Sequence, residues 1–270
     1  MVFVLGKRPR PGTVIAAALD ELRADGCDTS VLLPHDDSSP SPAWWAGADL
    51  VVQRGLRPNA LISLLAVEAV GIRCCNGVAA TLQVADRLGV ADRLTAAGLP
   101  VPTTQPAEDW ADVRARVGGG AVVKSRDGSA GRGVGVRVVD HGVLSSVPAP
   151  DGPWVVQDLV QHDGFIRKLY VVGREVRALL KRAADGHDDA SVRSLDDVPS
   201  HLGELAVQAG AALRLDVLGV DVLVDHAGPW VVDVNPFPGL RGVHDAAALL
   251  TALLLTLAED ERADRSQPLP

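Results

Sequence analysis

The sequence predicts an α/β protein, and three observations carry that prediction. Short Val- and Leu-rich runs alternate with Ala-rich stretches along the chain, the pattern of strands alternating with helices. Apolar residues make up 47% of the 270 residues while aromatics make up only 3%, so the cores must be built from aliphatic side chains. The first 75 or so residues read β-α-β-α, which predicts a small parallel sheet.

Val2–Leu5, ended by Gly6, is the first strand, and residues 13–24 form a helix stopped by Asp25 and Gly26. Residues 29–33 are a second strand, followed by a Pro/Ser-rich loop over 34–42. Residues 49–53 are a third strand and 58–70 a helix ending at Gly71. A long helix is expected over 80–97, closed by Gly98, and the prolines at 100 and 102 force an extended segment after it. Strands are expected at 121–124, 134–139 and 154–160. A hairpin over 166–181 turns at Gly173 and Arg174, a helix covers 201–213, and a second hairpin spans 218–234. A helix over 245–258 closes the fold, with a frayed tail from Glu259. This gives three units: 1–78, a parallel α/β domain; 79–155, a central lobe; and 156–270, a C-terminal lobe.

The net charge of −8 argues against a general nucleic-acid binder, which needs a basic face. No apolar run approaches the ~20 residues of a membrane span, so no membrane association is expected. Cys27, Cys74 and Cys75 make neither a metal spacing nor a disulfide framework and read as reduced thiols in a cytoplasmic protein.

Three clusters carry chemistry. The first runs from Lys124 through Gly128, Ser129, Gly131, Arg132, Gly133 and Gly135. Glycines between two strands let backbone N–H groups approach a polyphosphate, and Lys124 can neutralise it. This is no Walker A loop, because no Gly-Lys-Ser/Thr opens a helix. In the second cluster, Asp221 faces Asp233 across a predicted hairpin, and Asn235, two residues on, shares a face with Asp233. Three oxygen donors amid Val and Leu suit a hard cation such as Mg²⁺. The third cluster is basic: Arg167, Lys168, Lys181 and Arg182, with Lys168 and Arg182 as candidates to face an anionic substrate or phosphates. Lys7, Arg8 and Arg10 follow the first strand and Arg54 follows the third, at the edge where parallel α/β sheets bind ligands.

In this order the clusters resemble the ATP-grasp superfamily, most clearly from about residue 50 to 245. The most specific part is Gly219–Gly239. The resemblance implies an N-terminal α/β domain and two α+β lobes clasping ATP, with Mg²⁺, or Mn²⁺ in its place, as the metal. It implies adenine along Gln157, Asp158, Leu159 and Val160; Lys124 on the phosphates; Gly128 to Gly133 as a lid; and Asp221, Asp233 and Asn235 as metal ligands. Where the family often has an Asp-Lys pair before the lid, this chain has Asp86-Arg87, so Arg87 takes the phosphate role. Two subfamilies compete. RimK- and LysX-type carboxylate–amine ligases share the loop 128–133. ATP-grasp inositol-phosphate kinases share Asp86-Arg87, the run from Lys168 to Gly173, and Asp233 to Gly242. The kinase lid usually carries a histidine where this chain has Ser129 and Ala130. The ligase acyl site usually has Arg-x-Asn where this chain has Arg193, Ser194 and Leu195. The ligase is preferred, with Lys168, Arg182 and Arg193 as catalytic candidates, and a non-catalytic nucleotide-binding module stays open. The implied acceptor is an anionic small molecule or short peptide, and a homodimer is allowed.

Overall fold

In a computed structural model, the structure describes residues 1–34, 42–128, 136–140, 142, 152–183, 192–195 and 197–265. The first strands are β1 (Val2–Leu5), β2 (Ser30–Leu32), β3 (Leu50–Arg54) and β4 (Arg73–Cys75). They form the expected parallel sheet in the order β2-β1-β3-β4. Both faces are covered, as the unbroken apolar runs require. Phe3, Leu5, Leu50 and Val52 pack on Ile15, Ala18, Leu19 and Leu22 of the helix Val14–Ala24. Val2, Val4 and Val51 pack on Leu61, Leu64 and Val67. The helix expected over 58–70 is two short ones, Pro58–Ser63 and Leu65–Ala69, jointed at Leu64.

The second sheet holds β5 (Thr104–Ala107), β6 (Ala121–Ser125), β7 (Val136–Val139) and β8 (Trp154–Asp158), antiparallel in the order β5-β8-β6-β7. Its core is Val113, Val123, Val139, Val156 and the edge-on pair Trp110–Trp154, with ring centroids 5.8 Å apart. Trp110 lies on a helix, Trp110–Arg116, absent from the sequence reading; Asp109 caps it by accepting from the Asp112 N–H at 2.8 Å. The single helix expected over 80–97 is broken into Val78–Val84 and Arg87–Ala96. Asp86 takes an extended conformation between them and its carboxylate accepts from the Leu88 N–H at 3.2 Å, an N-cap that starts a new helix. The division expected at residue 155 falls inside β8.

The third sheet is β9 (Phe165–Val172), β10 (Glu175–Arg182), β11 (Arg193–Leu195), β12 (Val217–Asp225) and β13 (Gly228–Pro236), antiparallel in the order β11-β10-β9-β12-β13. One face buries Leu169, Val171, Ala178, Leu218, Val220 and Val222 against Leu202, Leu205, Ala206, Ala209 and Leu213 of the helix Ser200–Leu213. The last helix, Ala246–Arg265, runs past Glu259, where fraying was expected. Leu250, Leu254 and Ala258 join the core of the N-terminal sheet, and beyond them Arg262 Nε donates to Asp49 Oδ2 at 2.8 Å, a tertiary contact that holds the charged tail in the helix.

A buried clip joins the first sheet to the third. Asn76 is fully buried; its Nδ2 donates to the Val217 carbonyl at 2.7 Å and its Oδ1 accepts from the Val217 N–H at 2.7 Å. The side-chain amide thus pairs with β12 as a neighbouring strand would. Asn76→Ala leaves both Val217 groups without these partners and should lower stability by about 2–4 kcal/mol, read as a shift in urea midpoint at unchanged slope.

Candidate functional site

Lys124 stands near the end of β6 and is only 7% exposed. Its Nζ donates to Gln157 Oε1 at 2.8 Å and to the Val232 carbonyl at 2.6 Å. Gln157 on β8, also buried, is fixed in turn by donating from Nε2 to Thr104 Oγ1 at 3.1 Å. The Val232 acceptor exists because β13 is bulged. The register runs Asp221 opposite Asp233 and then Val222 opposite Val231, leaving Val232 as an extra residue outside the ladder. The buried ammonium takes the carbonyl that the bulge releases. Burial pulls the Lys124 pKa below its ordinary value; nearby Asp233 opposes that shift, Arg87 adds to it, and Asp221 opposes it.

The two carboxylates lie directly opposite each other. Like charges in that position repel, and cations offset the cost. Lys168 on β9, opposite Asp221 on its other side, donates to both Asp221 oxygens at 3.2 and 3.1 Å. Asn235 Nδ2 donates to Asp233 Oδ2 at 3.1 Å, which directs the amide oxygen away from Asp233. All three oxygen-bearing side chains are half-buried. Among the described residues no group of three His, Cys, Asp or Glu side chains gathers as a metal cage. Two carboxylates and an amide form a partial shell, which fits a small hard cation that brings phosphate oxygens and water with it.

The register corrects two of the catalytic candidates. Lys168 pairs with Leu179, so Arg177, Leu179 and Lys181 share its face. Arg182 has the opposite parity, and Arg193 pairs with Leu180, so both belong to the face that packs on the helix Ser200–Leu213. The structure brings Lys181, 4% exposed, to the site face in place of Arg182. Sequence could not separate these adjacent cations, because a one-residue change of register exchanges the faces.

Arg87 opens its helix beside the foot of the glycine-rich loop. Its N–H donates to the Arg126 carbonyl at 3.0 Å and its Nη1 to the Ser125 carbonyl at 2.7 Å. Gly128 N donates to the Ala85 carbonyl at 2.7 Å. A Cβ at Gly128 would lie 3.3 Å from that oxygen, a tight approach that favours glycine. Ser129, Gly131, Arg132 and Gly133 lie outside the described residues. Asp158 N donates to the Thr103 carbonyl at 2.9 Å. Its side chain is exposed, and Leu159 and Val160, half-buried, carry the chain from the second sheet toward the third. Val232 went unnoticed in the sequence although a signal was present: Val231 and Val234 are both core residues, and two inward residues three apart on one strand require a bulge.

The chain matches the RimK-like ATP-grasp domain over residues 94–254. It is 32% identical over 216 residues to a probable alpha-L-glutamate ligase of Sodalis glossinidius (strain morsitans), covering 74% of this chain and 72% of that protein. To the ribosomal protein bS6--L-glutamate ligase of Escherichia coli O7:K1 (strain IAI39 / ExPEC) it is 30% identical over 196 residues, covering 67% of this chain and 65% of that one. The crystal structure of a RimK domain protein ATP-grasp from Sphaerobacter thermophilus DSM 20745 superimposes with a TM-score of 0.72 at 23% identity, over 94% of this chain and 99% of that one. At that identity the likeness is one of fold.

The joint between Asp86 and the loop foot gives a pH test. The Arg126 guanidinium hydrogen-bonded to Asp86 holds its carboxyl below the ordinary 3.8. A depressed carboxylate stabilises the fold above its unfolded pKa and loses that contribution as pH falls through the folded value. In Arg126→Ala the Asp86 carboxyl should titrate at higher pH, followed by the NMR shift of its side-chain carbon, and acid unfolding should begin earlier. An unchanged Asp86 titration would show that the ion pair does not govern the joint.

Proposed function

The chain belongs to the RimK-like ATP-grasp family, and from that membership we infer that it is an ATP-dependent ligase that activates a carboxylate and joins it to an amine. One observation of its own chain supports this reading above the others. A buried lysine from the second sheet meets, through Val232, the strand of the third that carries Asp233 and Asn235 and pairs with the strand of Asp221. That contact supports a site in which the candidate phosphate-binding and metal-binding groups act together.

The residues take the following roles. Lys124, with Arg87 nearby, supplies fixed positive charge to the nucleotide phosphates in a site where water is scarce. Gln157 orients Lys124, and Asp158, Leu159 and Val160 border the base. Asp221, Asp233 and Asn235 would hold Mg²⁺, which would neutralise phosphate oxygens and steady the charge that develops on transfer. Lys168 and Lys181 present positive charge on the same face toward an anionic acceptor. A carboxylate oxygen of the acceptor attacks the γ-phosphorus and ADP departs. The amine nitrogen then attacks the acyl carbon, inorganic phosphate leaves, and the nitrogen gives up its proton. Most of the acceleration comes from positioning and charge neutralisation. An acyl phosphate is reactive enough for an amine to attack without a strong general base, and that suits a site whose charged groups are mainly lysines and metal-facing carboxylates. The names of the relatives, both glutamate ligases, support an amino acid as amine donor and a peptide or small carboxylic acid as acceptor.

Incubation with ATP, Mg²⁺, a pool of carboxylic acids and hydroxylamine should trap a hydroxamate; a stable phosphorylated alcohol instead would replace the ligase with a kinase. Asp233→Asn should abolish ADP formation and hydroxamate while the circular dichroism and melting profile stay those of the wild type. Turnover at the wild-type rate would remove Asp233 from the metal site. Lys124→Met keeps the side-chain bulk and removes the charge, and nucleotide affinity by calorimetry should fall by about 1–3 kcal/mol.

A further inference from the structure

The two short helices on one face of the N-terminal sheet offer water almost no polar surface. Between residues 60 and 70 only Ser63 and Glu68 are polar, and both are engaged within the chain. Ser63 Oγ donates to the Asn59 carbonyl at 3.0 Å. The Glu68 carboxylate accepts from the Val78 N–H at 2.6 Å and the Ala79 N–H at 3.1 Å, and so serves the start of the helix Val78–Val84. Leu61, Leu64 and Val67 pack inward on the sheet. Ile62, Leu65, Ala66, Ala69 and Val70 are exposed, at the i, i+3, i+4, i+7 and i+8 positions of one helical stripe. Among the described residues four large hydrophobic side chains are exposed, and three stand here: Ile62 at 52%, Leu65 at 37% and Val70 at 68%. A helix that is apolar all round belongs in a buried setting, and a contiguous apolar patch marks a contact surface.

The order of sizes along the stripe points to its cover. The large side chains Ile62 and Leu65 come first, and the small ones, Ala66 and Ala69, follow. A two-fold axis passing between residues 65 and 66 lays the stripe antiparallel on its own copy. Ile62 then meets the partner's Ala69, and Leu65 meets the partner's Ala66. Large opposes small at each step, so the surface is complementary to itself, as an isologous contact requires, and the alanines let the helices approach closely. Charge agrees with this pairing. Two copies of a chain with net charge −8 repel each other over most of their surface. From residue 58 to residue 72 the single charged side chain is Glu68, whose oxygens are held by backbone N–H groups. Arg57 and Arg73 stand beyond the two ends of the stripe, and Arg73 is paired with Asp216 at 2.7 Å.

We propose that the chain forms a two-fold dimer through this stripe, the second copy covering the outer side of the helices as the sheet covers the inner side. The stripe exposes on the order of 350 Å² of apolar surface per copy; at the ~60% apolar share of an interface, that is the centre of a contact of roughly 1,200 Å² in all. A contact of that size stands at the lower bound of stable interfaces, so the dimer forms and dissociates with concentration in the micromolar range. Its adhesion is apolar, so added salt does not release it. The proposal is independent of the ligase reading, because the stripe shares no residue with the cleft.

The test is sedimentation velocity of the full chain over about 1–200 µM. The wild type should pass from one chain to two as concentration rises, at low and at high salt alike. Leu65→Glu places a carboxylate in the centre of the contact and should weaken association about a hundredfold or more. Ala69→Leu sets two large side chains against each other and should also leave a monomer. Adding Ile62→Ala to Ala69→Leu exchanges large and small and should restore the dimer. All of these positions are exposed in one copy, and an unchanged thermal melt of the dilute protein reports that each variant is folded. A wild type that stays monomeric throughout the range overturns the proposal and leaves the stripe to a different partner. A dimer that survives Leu65→Glu overturns it by placing the contact elsewhere. If the double variant is as monomeric as Ala69→Leu alone, the antiparallel two-fold arrangement is wrong.

Discussion

The site depends on one buried cation. An ammonium with 7% of its surface exposed is costly to desolvate, and it persists only because two acceptors are aimed at it. One is the Gln157 amide from its own sheet; the other is the Val232 carbonyl from the sheet opposite. Removing either would leave charge buried with too few partners, so Lys124 couples the position of the second sheet to that of the third. The bulge that releases Val232 also sets the aim of the next residues. Past it, Asp233 and Asn235 turn to the face that Lys168 occupies, while Val231 and Val234 both stay in the core. A regular β13 would send either the carboxylate or a valine to the wrong side.

The N-terminal sheet is held in the same manner, by a polar group buried with both its hydrogen-bonding ends satisfied. The Asn76 amide pairs with Val217 at the start of β12, and Gln53 donates to the Asn76 carbonyl at 3.2 Å and to Thr81 Oγ1 at 2.8 Å. The last helix adds apolar contact to the same core. Nearby, exposed Arg73 meets Asp216 at 2.7 Å; burial raises the Asp216 pKa and Arg73 opposes that rise. Among the described residues, the polar contacts that join the sheets converge on β12 and β13. Because those two strands carry Asp221, Asp233 and Asn235, whatever fixes the architecture also fixes the candidate metal ligands.

Much of this was legible in the sequence, for identifiable reasons. The parallel sheet, both hairpins and the glycine-punctuated turns rest on local periodicity and turn chemistry, and they appear as expected. The clustering of Asp221 with Asp233 follows from a short hairpin, whose register its turn determines. What local pattern cannot supply is register between strands distant in sequence. Arg182 and Lys181 are equivalent to the eye until Lys168 is known to pair with Leu179. The helix break at Asp86 was likewise hidden, because its residues are compatible with a helix interior. The interruption comes from elsewhere: the segment 85–87 hydrogen-bonds to 126–128, and that pairing is worth more than one uninterrupted turn. Helix Trp110–Arg116 is short, and its packing of Trp110 on Trp154 lies beyond any window of local sequence.

Charge balance ties these features to the chemistry. Before nucleotide arrives, two carboxylates face two lysines, Lys124 and Lys168, with Arg87 and Lys181 close by, so cations outnumber carboxylates four to two. Lys168 occupies one side of Asp221 at 3.1 Å, the position from which a divalent cation would also neutralise that carboxylate. In the proposed reading a metal and the ammonium would compete for the same oxygens, and a carboxylate satisfied by a metal would hold a lysine less tightly. The lysine would then become available to the anionic groups that the metal accompanies. On that reading the pairing of Lys168 with Asp221 keeps a half-buried cation oriented without committing it. A group placed to neutralise charge during phosphoryl transfer must meet that requirement if it is not to hold the substrate as firmly as the transition state.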